Sequence, residues 1–361
     1  MINKINEFKG TSPIVKIAAF IIIIAGAIYS KSIINPILLA LFVSIICIQP
    51  ISWLVKKRIP KWLAFFSIIM GLLLLFFGFA YLIGGTLSSF SGNVAKYETS
   101  LNSITNSLIL FLNEKGFNLS QIQVSNIIQP SKILEFTSNA MNKIFNMMGN
   151  TFLIFLILLF ILTEFGSFTI KAKAILTESD TSISYLNTII QNIRHYLWIK
   201  TLICLATGIF IYIALVIIGL DYPLLWALIA ALMNYIPNIG SILAVIPALL
   251  FAMVQFGISG ALWTLASYLV VNNVLGNIIE PKVMGKGLGL STLVVFISLL
   301  FWGFVLGTVG MFLSVPLTMT FKIVLEQNEK TRWIAILLGT PAEAKIFLRH
   351  RAQAEKQHQK E

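Results

Sequence analysis

Between Asp221 and Glu326 the chain carries one acidic residue, Glu280, in a stretch dominated by apolar side chains. A lone carboxylate at membrane depth is a candidate group for proton or sodium coupling. The competing reading is a surface carboxylate paired with Lys282 or Lys286. Asn272, Asn273 and Asn277 come just before it. The last two are four residues apart and share a helix face. Their uncharged amides suit a neutral, hydroxyl-rich solute, or else they tie helices together. Upstream, Asn234, Pro237, Asn238 and Gly240 interrupt the apolar run 222–247. Proline removes a backbone donor and breaks the helical ladder. The break would free backbone groups to bind a polar solute or ion, unless it is only a tight turn at the membrane surface.

Other chemistries find little support. The histidines are His195, His350 and His358, none deep in an apolar run, and no HExxH motif is present. Asp180 lies in a polar linker and Asp221 in a loop, so they do not form a buried aspartyl dyad. Neither an enzyme nor a metal site is therefore expected. Gly285, Gly287 and Gly289 lack the strand and full spacing of a phosphate loop, and no cofactor is implied. Cys47 and Cys204 sit inside apolar runs, which argues against a disulfide framework.

Hydrophobic residues make up 57% of the 361 positions and charged residues 11%. A soluble domain carries about 25% charged residues. Several runs reach the ~20 apolar residues that a bilayer-crossing helix needs. These features predict an all-α polytopic membrane protein with about eight embedded segments. The net charge of +12 is not a nucleic-acid footprint, because the basic residues gather at span ends: Lys4, Lys9 and Lys16, then Lys56, Lys57, Arg58 and Lys61, then Lys171 and Lys173. Cytoplasmic loops hold Lys and Arg in this way. Both termini are accordingly expected inside.

Spans are expected at 14–30, 33–55, 62–88, 150–168 and 197–219. The polar segment 91–148 lies between them, with apolar residues at helical spacing: Val94, Tyr97, Leu101, Ile104, Leu108 and Phe111, then Ile133, Phe136, Ala140, Ile144 and Met147. After three spans it should lie outside, as a helical cap. The regions so defined are 1–90 (three spans), 91–148 (amphipathic insert), 149–196 (fourth span and linker), 197–325 (transport core) and 326–361 (basic tail).

Residues 222–257 would extend ~54 Å as one helix, far beyond a hydrocarbon core of ~30 Å. A break at Pro237-Asn238 suggests a hairpin that enters and leaves on one face. Residues 290–323 are again too long, with Gly303, Gly307, Gly310 and Pro316 available for a bend and the glycines also for close helix approach. Two hairpins put Lys282 and Lys286 inside, whereas two tilted spans put them outside, and the charge rule favours hairpins. The layout is then span plus hairpin, twice, entering from opposite faces. It is an inverted repeat in topology, without residue-level self-similarity, and transporters use such repeats to build midplane sites. Trp226, Trp263 and Trp302 read as interfacial anchors or packing.

The runs DYPLLWALIAALMNYIPNIGSILAVIPALL from 221 and NNVLGNIIEPKVMGKGLGLSTLVVFISLLFWGFVLGTVGMFLSVPL from 272 resemble the autoinducer-2 exporter family, the PerM-like permeases. Specificity lies in the combination of PNIGS, NIIEPKVMG and the GxxGxFLSVPL run. The resemblance implies residence in a bacterial cytoplasmic membrane, export of a small molecule such as the furanosyl quorum signal, and a homo-oligomer, a pentamer. Some members resemble sodium or lithium/proton antiporters. If the chain is a carrier, the interrupted runs read above would line the pathway with Asn234, Pro237, Asn238, Gly240, Asn272, Asn273 and Asn277, with Glu280 as the coupling group. An oligomeric channel and a membrane scaffold are the rival readings. The bilayer and a small-molecule or ion substrate are the expected partners.

Overall fold

The computed structural model describes residues 13–114, 151–175, 180–284 and 289–341, and the single positions 139, 344, 345 and 348. Among them the chain is helical throughout, with no strand. Helices α1 (Pro13–Tyr29) and α2 (Lys31–Lys56) form the first antiparallel pair. Helix α3 (Lys61–Glu114) runs unbroken from the third span into the polar insert. Helix α4 (Thr151–Ile175) packs closely along α2. Of the insert's apolar positions, the first set lies on α3, where Tyr97 is buried. The second set, Ile133 to Met147, lies outside the described residues.

The exposed surface shows what surrounds these helices. Phe20, Ile22 and Ile23 on α1 and Phe66, Leu74 and Phe77 on α3 are all exposed. A soluble protein rarely carries apolar patches of that extent. On a polytopic chain such side chains suit a lipid surrounding, whose hydrocarbon tails are as apolar as they are.

Helix α5 (Asp180–Ile218) is the axis of the second half. Gly219 ends it in a left-handed conformation, and helix α6 (Pro223–Met233) starts after Tyr222. With 11 residues, α6 reaches only ~16 Å, about half the hydrocarbon thickness. After the turn 234–239, helix α7 (Gly240–Asn272) runs back. A Cβ at Gly240 would sit 1.8 Å from the Met233 carbonyl oxygen, so only glycine lets the two arms of the hairpin meet there. The returning arm ends beside the start of α6: the Asp221 N–H donates to Gln255 Oε1 at 2.9 Å, and Gln255 Nε2 donates to the Gly219 carbonyl at 3.3 Å. The hairpin thus leaves and regains the same end of the bundle.

Gly257, at φ 71° and ψ −157°, then breaks α7. The second arm of α7 descends through a π-helix (Asn273–Ile279) into helix α8 (Glu280–Met284), at the opposite end. Helices α9 (Thr292–Leu306) and α10 (Thr308–Glu326) form the second hairpin and pack along each other more extensively than any other pair among the described residues. Its two ends are tied together where Lys322 Nζ donates to the Gly289 carbonyl at 2.6 Å. Helix α11 (Arg332–Leu338) closes over the same end, its Leu338 carbonyl accepting from the Ser291 N–H. Span plus hairpin therefore occurs twice, with the hairpins entered from opposite ends.

Among the four residues available for the second bend, the structure uses Gly307, at φ 69° and ψ −147°. Gly303 and Gly310 serve close approach, the other use expected of these glycines: a Cβ at Gly310 would lie 1.9 Å from the Trp302 carbonyl oxygen. Pro316 is buried within α10, away from the turn. A short residue-level repeat also exists where none is apparent from the sequence. Gly257 and Gly307 share one backbone conformation that favours glycine. Three residues on, Gly260 and Gly310 are each overshadowed by the side chain four positions back, Phe256 at 2.4 Å and Leu306 at 2.8 Å. Trp226 belongs to the packed core and is 1% exposed, whereas Trp263 stands out at 68%.

Candidate functional site

The tip of the first hairpin is held against α5 by side chains, because its backbone has left the helical ladder. Asn234 Nδ2 donates to Thr207 Oγ1 at 3.2 Å, and Tyr235 Oη donates to Thr201 Oγ1 at 2.8 Å. Asn238 adopts φ 60°, a left-handed conformation that asparagine tolerates better than most residues. Asn234 and Ile236 thus seat the turn in the protein, where broken backbone is tolerated, while Asn238 at its tip is exposed.

Opposite the tip stands the π-helix. Its wider i→i+5 ladder interrupts the regular helix, a feature that recurs at functional sites. Within it Asn277 Nδ2 donates to Asn273 Oδ1 at 2.9 Å, and Asn273 Nδ2 donates to the Leu269 carbonyl. The two amides form a short chain along one face, as their spacing predicts. Gly276, between them, has open space where a side chain would stand.

Tip and π-helix enclose a cavity of about 320 Å³. Asn234, Pro237, Asn238, Asn272, Asn273, Asn277 and Glu280 all line it, so seven of the eight residues singled out from sequence for the pathway and for coupling converge. Gly240 does not line it; its place is the contact with Met233. Asn238 and Asn272 have no side-chain hydrogen-bond partner among the described residues. Their amides are available to a guest. Ser241 adds a hydroxyl to the lining, whereas the buried Tyr268 hydroxyl already donates to the Trp226 carbonyl at 3.3 Å.

Among the described residues Glu280 does not pair with Lys282. Its carboxylate accepts from Lys200 Nζ at 2.8 and 3.0 Å, with the lysine side chain 5% and the glutamate 17% exposed. Lys282 is exposed, and Lys286 lies outside the described residues. Burying two charges costs several kcal/mol per ion, and the attraction offsets this only with close geometry and further hydrogen bonds. Such a pair is weak support for stability. Both side chains line the cavity and give its wall a strongly polar patch. Lys200 can be found in the sequence as the cation in the apolar run YLWIKTLICLATGIF, where its nearness to the span's end lets it pass for a snorkelling residue.

No cluster of three or more potential metal ligands occurs among the described residues. The site is thus one of amides, hydroxyls and one ion pair, suited to binding polar solutes rather than to bond-making.

The profile of the AI-2E family transporters matches residues 17–330. The chain belongs to that family. The AI-2 transport protein TqsA of Escherichia coli is 36% identical over 343 residues, spanning 94% of this chain and 98% of its own length. A protein of Haemophilus influenzae is 38% identical over 329 residues, 90% and 94% of the two chains. The Escherichia coli protein YhhT is 31% identical over 330 residues, 91% and 95%. The AI-2E chain described here is therefore a transport protein with several membrane spans and not an enzyme. The family resemblance carried by PNIGS, NIIEPKVMG and the GxxGxFLSVPL run is the correct one.

Proposed function

We propose that this AI-2E family member is a secondary transporter of the bacterial inner membrane, with both termini cytoplasmic, that exports a small polar molecule of the autoinducer-2 type by alternating access. One observation carries the reading: amides from a hairpin tip and from a facing π-helix line a single cavity of about 320 Å³, with a buried ion pair on its wall. A furanosyl solute presents hydroxyl groups that both donate and accept. Asn amides match this with a carbonyl acceptor and two donors each. The Pro237-Asn238 tip offers broken-helix backbone at the same place.

Alternating access needs an element that can shift without unravelling. The first hairpin fits, since its arms join the rest of the chain at Gly219 and Gly257, both in left-handed conformations. Rocking the tip against the π-helix would open the cavity to one face and then the other. A homo-oligomer, a pentamer, would hold the outer helices still while the hairpins move.

Sodium or lithium/proton antiport is the second reading, favoured by the Lys200–Glu280 pair on the cavity wall. Protonating Glu280, or placing a sodium ion on it, would release Lys200 and couple charge to the cavity's contents. Proteoliposomes containing the purified protein separate the two. The expected result is saturable counterflow of the furanosyl signal, lost in Asn277→Ala and independent of added lithium. Lithium or sodium flux driven by a pH gradient, without signal flux, would select the antiporter. Steady ohmic conductance in planar bilayers would reject both in favour of a channel.

A further inference from the structure

A second cavity, of about 450 Å³, lies between the C-terminal end of α2 and the portion of α5 that precedes Lys200. Gln49, Ser52, Trp53 and Lys56 line it from α2, and Arg194 and Trp198 from α5. No carboxylate lines it among the described residues. Two of its polar atoms are buried without a hydrogen-bond partner: Arg194 Nε and Gln49 Oε1. Buried donors and acceptors in native proteins are nearly always paired, so two orphans in one cavity point to a polar guest.

We propose that this cavity binds a phosphate group, as the headgroup of an anionic phospholipid of the inner leaflet. The chemistry follows from the lining. An arginine offers a planar fork of donors that matches phosphate oxygens, and Lys56 adds a second positive charge. The Gln49 amide can turn either end to the guest, its NH₂ towards phosphate or its oxygen towards a headgroup hydroxyl. Ser52 supplies one more hydroxyl.

Depth selects a lipid over a soluble anion. Trp53 is 54% exposed and lies under Lys57, whose ammonium stands 3.8 Å from the centre of the indole ring. Indoles concentrate at headgroup level. The basic run Lys56-Lys57-Arg58 with Lys61 follows at once, marking this end of the bundle as the cytoplasmic one. Basic pockets between membrane helices on that side suit anionic headgroups. The site is separate from the cavity at the hairpin tip, with no lining residue in common.

Native mass spectrometry of the purified full-length protein, titrated with phosphatidylglycerol and separately with phosphatidylethanolamine, tests this. The wild type should retain phosphatidylglycerol, with about tenfold weaker retention in Arg194→Gln and Lys56→Gln. Arg194→Lys should bind at an intermediate level, since it keeps the charge and loses the fork. Size-exclusion profiles matching the wild type exclude misfolding as the cause. Thermal protection by inorganic phosphate, abolished in Arg194→Gln and without phosphatidylglycerol selectivity, would keep the phosphate site but overturn the lipid source. Equal retention of both lipids by wild type and variants, with no phosphate effect, would overturn the proposal entirely.

Discussion

The Lys200–Glu280 pair determines how the cavity's chemistry can be tested one side chain at a time. Removing one partner strands a buried charge, which costs about 3–5 kcal/mol, whereas removing both leaves no orphan. Lys200→Met or Glu280→Gln alone should therefore lower the melting temperature in detergent clearly. The double variant should recover most of that loss while remaining inactive in transport. A double variant as unstable as the singles would show that the pair acts through packing alone. Asn238 needs a different design. Leucine there would meet a left-handed backbone costing about 1–2 kcal/mol, mixing strain with lost chemistry. Asn238→Gly keeps the backbone and removes the amide, so it should insert and fold normally yet transport poorly. Wild-type flux would remove Asn238 from the pathway. At this scale the sequence was readable wherever a polar residue interrupts an apolar run, as Asn234, Asn238 and Asn277 do. Lys200 was not, because a lysine near a span's end can snorkel to the interface, and only the fold brings Glu280 within reach across 80 positions.

Hairpins depend on glycines in two distinct ways, and substitutions should separate them. At Gly240 and Gly310 the obstacle is backbone: a Cβ would stand 1.8 Å and 1.9 Å from a carbonyl oxygen. Neither oxygen can move without shifting its helix. Alanine at either should destabilise by about 1–3 kcal/mol, as overpacking does. Gly78, on the third span, has open space around it, and Gly78→Ala should be neutral or slightly stabilising because alanine favours helix. Thermal unfolding of the three variants tests the contrast, and a Gly310→Ala protein as stable as wild type would contradict the tight hairpin. The first two helices were legible to within a few residues from length, low charge and flanking lysines. Helix α3, by contrast, runs on to Glu114 and α5 begins already at Asp180, well outside the spans expected at 62–88 and 197–219. The place of the second bend was not legible either. Proline and glycine both break helices, but turning the chain back in one step needs a left-handed residue, and Gly307 supplies it while Pro316 stays helical. The π-helix was equally hidden, because Asn273–Ile279 has no composition that separates it from an ordinary helix.

For the molecule as a whole, contacts join the two hairpins to opposite ends of one bundle. Gln255 binds the loop at Gly219 and Asp221, so the turn at Gly257 and the start of α6 lie together. Lys200 lies well down α5 from that end, paired with Glu280 at the start of α8, and Lys322 holds Gly289 towards the same end as α8. If α5 crosses the bilayer once, residue 259 and residue 282 must face opposite compartments. The basic loop at Lys56–Lys61 then makes the side of residue 282 the cytoplasm. Two tilted spans in place of two hairpins would put position 282 outside. The native thiols, Cys47 and Cys204, are buried and leave a quiet background for labelling. Ser259→Cys in intact cells should react with a membrane-impermeant maleimide, while Lys282→Cys should react only after the inner membrane is opened. Labelling of position 282 in intact cells would restore the tilted spans. The cavity would then lose the inverted pair of hairpins on which the proposed alternating access depends.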